Sequence, residues 1–446
     1  MNGNLTEGPI MKTLMKLAVP IMASSFLGTL YNITDMAWIG LLGAKAVAGV
    51  GVGGMFIWLS QGLAAMSRMG GQVHVAQCIG RGDSTSAQHY AQAAVQLSIL
   101  MGLLFAAICV IFVYPLVGFF QLTDPEAHAA AISYTQIACG LIVFSFVNVT
   151  LNGLYTAQGD SKTPFVANLV GLVSNMILDP LLILGLGPIP KFGVRGAAIA
   201  TVSAQAVATV IMVLSVVLKK KNNTLKGIRI FARTPLHYLR DVFRIGVPTA
   251  IQDMVYSAIT MVLTRMVSGF GAEAVAMYHV GGQIESISWN AADGFAAALN
   301  AFIAQNYGAG KNNRIRKGYL ISLWMVGFWG LLVSALFLFF PRPLAGIFFH
   351  EPAAIAIAVD YLLILSLCEP FMCVEFATVG ALSGLGKTQL CGVLSIALTG
   401  IRIPIAVALS RSMGLNGIWW ALTATSVVKG ILFTGTFLYI TRKKND

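Results

Sequence analysis

From residue 13 to residue 441 the chain is a succession of apolar runs, parted only by Gly, Pro and short charged stretches. Each run reaches the ~20 residues that a helix needs to cross a bilayer. Apolar blocks and breakers place twelve helical spans at residues 13–40, 46–79, 86–119, 127–157, 163–186, 194–218, 237–268, 273–308, 314–341, 353–384, 387–410 and 415–441. Charged residues are 10% of the 446 and apolar ones 57%, against ~25% and ~45–50% in soluble domains. Too few charges are present to cover a water-soluble surface. A disordered chain is excluded by the same balance. A membrane β-barrel would show ~10-residue alternating segments in place of these continuous runs. The expected class is an all-α polytopic membrane protein.

The net charge of +12 has no nucleic-acid reading, because the basic residues cluster between apolar blocks and form no stripe. The segment Lys219–Arg244 carries Lys219, Lys220, Lys221, Lys226, Arg229, Arg233, Arg240 and Arg244 against one acid, Asp241. The positive-inside rule puts it in the cytoplasm. Six spans lie on each side of it, so the basic tail at Arg442, Lys443 and Lys444 and the N-terminus share that side. On this topology the outer segments hold only Lys45, Lys191, Arg195, Arg342 and Arg411, and the spans hold Arg68, Arg265, Arg402 and Lys429. The expected organisation is a six-helix bundle at 1–218, a basic linker at 219–236 and a second bundle at 237–446. The location is a plasma or inner membrane. The polar start MNGNLTEG lacks a basic region and cleavage site, so no removed signal is expected. Cys78, Cys109, Cys139, Cys368, Cys373 and Cys391 lie in or beside apolar runs and read as small core residues.

The two halves repeat. Leu17-Ala-Val-Pro20 aligns with Ile245-Gly-Val-Pro248, and Gly43–Ala48 with Gly271–Ala276. Gly53-Gly54 aligns with Gly281-Gly282, and Ala76–Gly82 with Ala304–Gly310. All four matches share a shift of 228 positions. Later the shift drifts, Gly193–Gly196 matching Gly414–Gly417. Six spans per repeat is an even number, so the repeats are parallel, a symmetry that secondary transporters use to alternate access to a site.

The motifs Leu5-Thr-Glu-Gly-Pro9, Leu17–Pro20, Asp35 with Gly40 and Gly43, Gly159–Pro164, Asn175–Pro180, Gly193–Ala198 and Gln305–Gly310 resemble, in order and spacing, the multidrug and toxic compound extrusion (MATE) family. The resemblance implies a V-shaped pair of six-helix bundles. It also implies export of cationic amphipathic compounds in exchange for H⁺ or Na⁺.

Ionisable residues inside spans are costly and mark function by themselves. Asp35 lies in an otherwise uncharged part of span 1, unless it reaches water at the helix end. Asp179 lies in the uncharged run Val173–Leu186. Asn175 precedes it by four positions and shares its helix face, and the pair would equally make a packing hydrogen bond. Pro180 lacks an N–H and releases the Met176 carbonyl. Thr201 follows the small-residue start of span 6. Two carboxylates, an amide and a hydroxyl suit Na⁺ or a shared proton and not a transition metal. The resembled family's DinF-like branch has its cation site in the first bundle, at positions that match Asp35, Asn175, Asp179 and Thr201. Its NorM-like branch has an acid after the helix 7 proline and another in helix 10. Tyr256 and Met372 stand at those places, so that pattern fails.

The second half carries Asp253, Glu285, Asp293, Asp360, Glu369 and Glu375 within spans. Of these, Asp253, Glu285, Asp293 and Glu375 are candidate ligands for a cationic drug, with Trp289 one turn after Glu285 for cation–π contact. Alternatively Glu285, Asp293 and Glu375 pair with Arg265 or Arg402. The expected partners are small drug-like molecules and the bilayer, for a monomer without cofactor. A competing reading is a flippase of a lipid-linked precursor. The surplus of in-span acids over bases weighs against its pyrophosphate cargo. An intramembrane enzyme lacks any metal or nucleophile motif here.

Overall fold

The computed structural model describes residues 4–122, 124–185, 190–218, 224–349 and 351–442. Lys219–Lys221 of the linker and Lys443 and Lys444 of the tail lie outside the described residues. The described residues form helices and no strand. The helices of the first half are α1 (Ile10–Gly40), α2 (Ala44–Arg81), α3 (Ser84–Ile111), α4 (Val113–Gly118), α5 (Pro125–Gly140), α6 (Val143–Ala157), α7 (Lys162–Leu184) and α8 (Val194–Leu218). After a 3-10 turn at Thr224–Gly227 come α9 (Leu236–Ser268), α10 (Ala272–Gly308), α11 (Asn312–Phe339), α12 (Pro341–Phe348), α13 (Pro352–Ser366), α14 (Glu369–Gly384), α15 (Thr388–Gly400), α16 (Arg402–Met413) and α17 (Leu415–Arg442).

Among the described residues eight stretches are long and apolar enough to cross a membrane, α15 and α16 counting together, and ten are if each bent pair is one crossing. The bent pairs are α5–α6, at 47°, and α13–α14, at 54°. The second bend falls where Pro370 opens α14, since proline removes a backbone donor. α9 and α10, of 33 and 37 residues, are long enough but too polar to count by composition. They repeat α1 and α2 at the shift of 228 and stand where the expected spans 237–268 and 273–308 lie. The expected span 86–119 ends in a short extra helix, α4, and α12 begins where the expected span 314–341 stops.

The breakers act through their backbone. Gly82 and Gly310, equivalent in the repeat, both adopt positive φ, at 79° and 69°. Gly has no Cβ to oppose that conformation.

The chain forms two compact units. One comprises residues 1–4 and 23–250, the other 5–22 and 251–446. The boundaries inside α1 and α9 are themselves 228 positions apart, each two residues past a proline, Pro20 or Pro248. In the first unit, buried residues of α2, α3, α5 and α6, among them Phe56, Phe105, Cys109, Cys139 and Phe146, make one core, and Ile39, Val50, Tyr134, Ile183 and Ala197 a second. In the second unit α10, α11, α14 and α17 enclose Phe302, Tyr319, Cys373, Phe433 and Phe437, together with Leu14 and Leu17 of α1. All six cysteines are buried and unpaired by disulfide.

Two straps tie the ends of these units. The Leu5 N–H donates to Gln305 Oε1 (3.0 Å), and Asn306 Nδ2 donates to the Leu5 carbonyl (3.1 Å). Lys311 and Arg314 donate to the carbonyls of Thr6, Glu7 and Gly8. In the first unit Gln92 and Gln96 of α3 hold the linker at Arg229, Ile230, Ala232 and Thr234. Leu5 and Leu225 anchor the straps, each almost fully buried.

Candidate functional site

The residues picked out in the first half come together in the first unit. α7 and α8 pack along their length and bring Asn175, Asp179 and Thr201 into one interior. Asn175 and Asp179 are fully buried, and Asp35 and Thr201 are 8% and 5% exposed. Asn175 Nδ2 donates to Asp179 Oδ1 at 3.1 Å, as a spacing of four on one helix face predicts. That bond leaves Asp179 Oδ2 and Asn175 Oδ1 without a partner. Asp35 Oδ1 and Thr201 Oγ1 are likewise buried and unpartnered. The charge of Asp35 acts on Asp179, so the two carboxyls share one electrostatic neighbourhood.

Two tyrosines complete the group. Tyr31 lies one turn before Asp35 on α1, its hydroxyl buried and unpartnered. Tyr134 of α5 is 3% exposed. Both hydroxyls lie beside Thr201 and within the fields of Asp35 and Asp179. Neither was apparent from charge placement. The i−4 spacing of Tyr31 from Asp35 was the available signal. No Lys or Arg forms an ion pair with Asp35 or Asp179 among the described residues.

Buried polar groups are nearly always hydrogen-bonded, and an unpaired one costs ~1–3 kcal/mol. The oxygens of Asp35, Asp179 and Asn175, with the Thr201 and Tyr31 hydroxyls beside one another, therefore suit a common partner. A cation or proton could serve as one, and Asp35, Asp179, Asn175, Thr201 and Tyr31 carry the oxygens that could hold it. The donor set is hard, as Na⁺ and H⁺ require.

The second-half candidates do not gather in the same way. Glu285 and Asp293 are half-buried on α10, Trp289 is 41% exposed between them, and Asp253 is exposed on α9. Glu375 is buried in an ion pair with Lys429 of α17. Its partner is thus neither Arg265 nor Arg402. Arg402 donates from Nε to Thr425 Oγ1 (2.8 Å) and from Nη2 to Ser426 Oγ (3.2 Å), and its charge reaches Glu285. Glu369, which the sequence named without a role, is fully buried, and neither of its carboxylate oxygens makes a well-aligned hydrogen bond.

The MatE family profile matches residues 20–181 and again 248–408. The chain belongs to the MatE family. The two matches start 228 positions apart, at the two repeat prolines. Among its relatives, a probable multidrug resistance protein NorM of Thermotoga maritima is 28% identical over 95% of this chain and 91% of that protein. A protein of Shewanella oneidensis named an FAD transporter is 25% identical over 96% and 94%. A solved multidrug resistance MATE family transporter of the MOP superfamily, in an outward-facing conformation, superposes with a TM-score of 0.91 at 23% identity, covering 99% and 98%. A MatE protein is a membrane transporter, and that is the level at which these likenesses fix this chain.

Proposed function

We propose that this MatE protein exports cationic amphipathic compounds in exchange for H⁺ or Na⁺. The observation that carries the reading is the buried, unpartnered oxygen group of Asp35, Asn175, Asp179, Thr201 and Tyr31. Such a group changes its cation occupancy readily, since the cation is its only common partner. The multidrug resistance names of relatives support export of drug-like cargo. One charge crossing ~100 mV gains ~2.3 kcal/mol, enough for a roughly 50-fold cargo gradient.

For the cargo, Glu285 offers a half-buried carboxylate with Trp289 one turn away, a pairing suited to an organic cation. Asp293 and Asp253 add negative charge. Glu375 is neutralised by Lys429, so it takes part only when that pair opens. An anionic cargo, as one relative's FAD, would meet an excess of acids here. We place the linker and both termini in the cytoplasm on the charge asymmetry.

The test is efflux of a permanently charged organic cation from proteoliposomes, first under an imposed pH gradient and then under an imposed Na⁺ gradient. One of the two gradients should drive export against the cargo gradient. Export driven by neither would overturn the exchange mechanism.

A further inference from the structure

We propose that Glu285 and Glu369 form a proton-sharing carboxyl pair in the second unit, separate from the Asp35–Asp179 group. The consequence for transport rests on the exchange reading above; the pair itself stands on helix register.

α10 and α14 run side by side in the same direction. A side chain on Gly380 would strike the Ala296 carbonyl, and one on Gly384 the Asn300 carbonyl. Both pairs are 84 positions apart in the sequence. Ser288 Oγ and Cys373 Sγ meet at 3.5 Å, and Asn300 Nδ2 donates to the Gly380 carbonyl at 3.1 Å. One turn back from the Ser288–Cys373 contact, Glu285 stands three positions before Ser288 and Glu369 four before Cys373. Both therefore keep the facing sides of their helices. Glu369 is again 84 positions after Glu285, so the register sets the two carboxyls level. Glu369 is fully buried, neither of its oxygens makes a well-aligned hydrogen bond, and Ser288 lies beside it; its charge acts on Glu285.

The groups facing this pair do not neutralise two negative charges. α10 presents Ser288, α13 Tyr361, and α14 Cys373 with the Glu375–Lys429 pair beyond it. Cys368 closes the bend, and α11 passes at Gly330 against the backbone of Glu369. Arg402 of α16 donates to Thr425 and Ser426, and its single positive charge, which reaches Glu285, offsets only one of the two. The start of α14 favours one carboxylate at Glu369 through its dipole. It does not favour two, and like charges held together out of water share a proton. A metal cation fits poorly, because it seeks several oxygen ligands and thiols line the bend.

The first repeat supplies the comparison. α2 and α6 keep nearly the same register, Gln61 Nε2 donating to Ser145 Oγ at 3.1 Å and Ser67 meeting Thr150 at 2.8 Å. At the level of the acid pair, the repeat shift gives Ile57 and the helix register Leu141. Both are apolar. The bent-helix architecture is therefore built without acids at this level, and the second unit alone carries them.

Infrared difference spectroscopy of the purified protein, stepped in pH, reads the C=O stretch of protonated carboxyls directly. The wild type should show a component that disappears as pH rises. Glu369→Gln and Glu285→Gln should each lose that component entirely, while Asp35→Asn and Asp179→Asn keep it. The same component persisting in both Glu variants overturns the pair. The second variant, at the less buried partner, keeps the test alive if the first fails to fold. In proteoliposomes Glu369→Gln should shift the pH profile of export, and an unchanged profile would deny the pair a part in transport. If no gradient drives the wild type at any pH, the exchange reading falls, and the infrared result still decides the pair.

Discussion

Lys429 and Glu375 hold opposite charges in a part of the second unit that is nearly dry, with side chains 7% and 11% exposed. Removing one partner from such a pair strands the other charge, at ~3–5 kcal/mol. Replacing both with apolar residues of similar size is near neutral or stabilising. Lys429→Met should therefore lower the thermal midpoint of the purified protein sharply, and the double variant Lys429→Met, Glu375→Met should recover most of the loss. Equal loss in both would mean that the pair packs through shape and not charge. The sequence exposed Glu375 and Lys429 as in-span charges but not that they pair, since Lys429 lies on the last helix. A charge out of place is visible in one dimension, whereas its counter-charge is set by packing. The same limit hid Tyr31 and Tyr134. A hydroxyl in an apolar run raises no flag, and only its meeting with Asp35, Asp179 and Thr201 gives it a role.

Among elements, α9 shows how glycine sets helix contact. A side chain on Gly246 would run into the Met66 carbonyl of α2, and one on Gly70 into the Val242 carbonyl of α9. Tyr90 of α3 reaches Asp241 at 2.9 Å and fixes the same end of α9. Gly246→Ala should push the helices apart and destabilise by ~1–3 kcal/mol, as overpacking does. Gly282→Ala, where nothing lies within 4 Å of the added carbon, is the control and should leave the melting curve unharmed. A matching loss in both would remove close approach as the cause. The apolar runs and their breakers gave the helices nearly where they stand. The bends at α5–α6 and α13–α14 were not legible, because hydropathy averages across a break that leaves the apolar run intact. The break matters, since it sets Glu369 at the start of a helix facing α10.

At the scale of the molecule, the repeat was readable as a constant shift of 228, and both unit boundaries and both profile matches obey it. Function departs from that symmetry. The first unit gathers Asp35, Asn175, Asp179 and Thr201 from α1, α7 and α8, while the second carries its own acids at Glu285 and Glu369. The four first-unit residues were legible because intramembrane carboxylates are costly and because their motifs resemble those of the family. That they meet in one volume is a fact of packing. The central claim, that this group couples cation movement to export, is tested by Asp35→Asn and Asp179→Asn in proteoliposomes holding a labelled organic cation. Each substitution imitates a permanently protonated group. Both variants should bind the cation and exchange labelled for unlabelled cargo, yet lose gradient-driven export, and the double variant should be little worse than either single one because one unit is already broken. If both single variants export at the wild-type rate under the driving gradient, the first-unit site does not couple transport and the account is wrong.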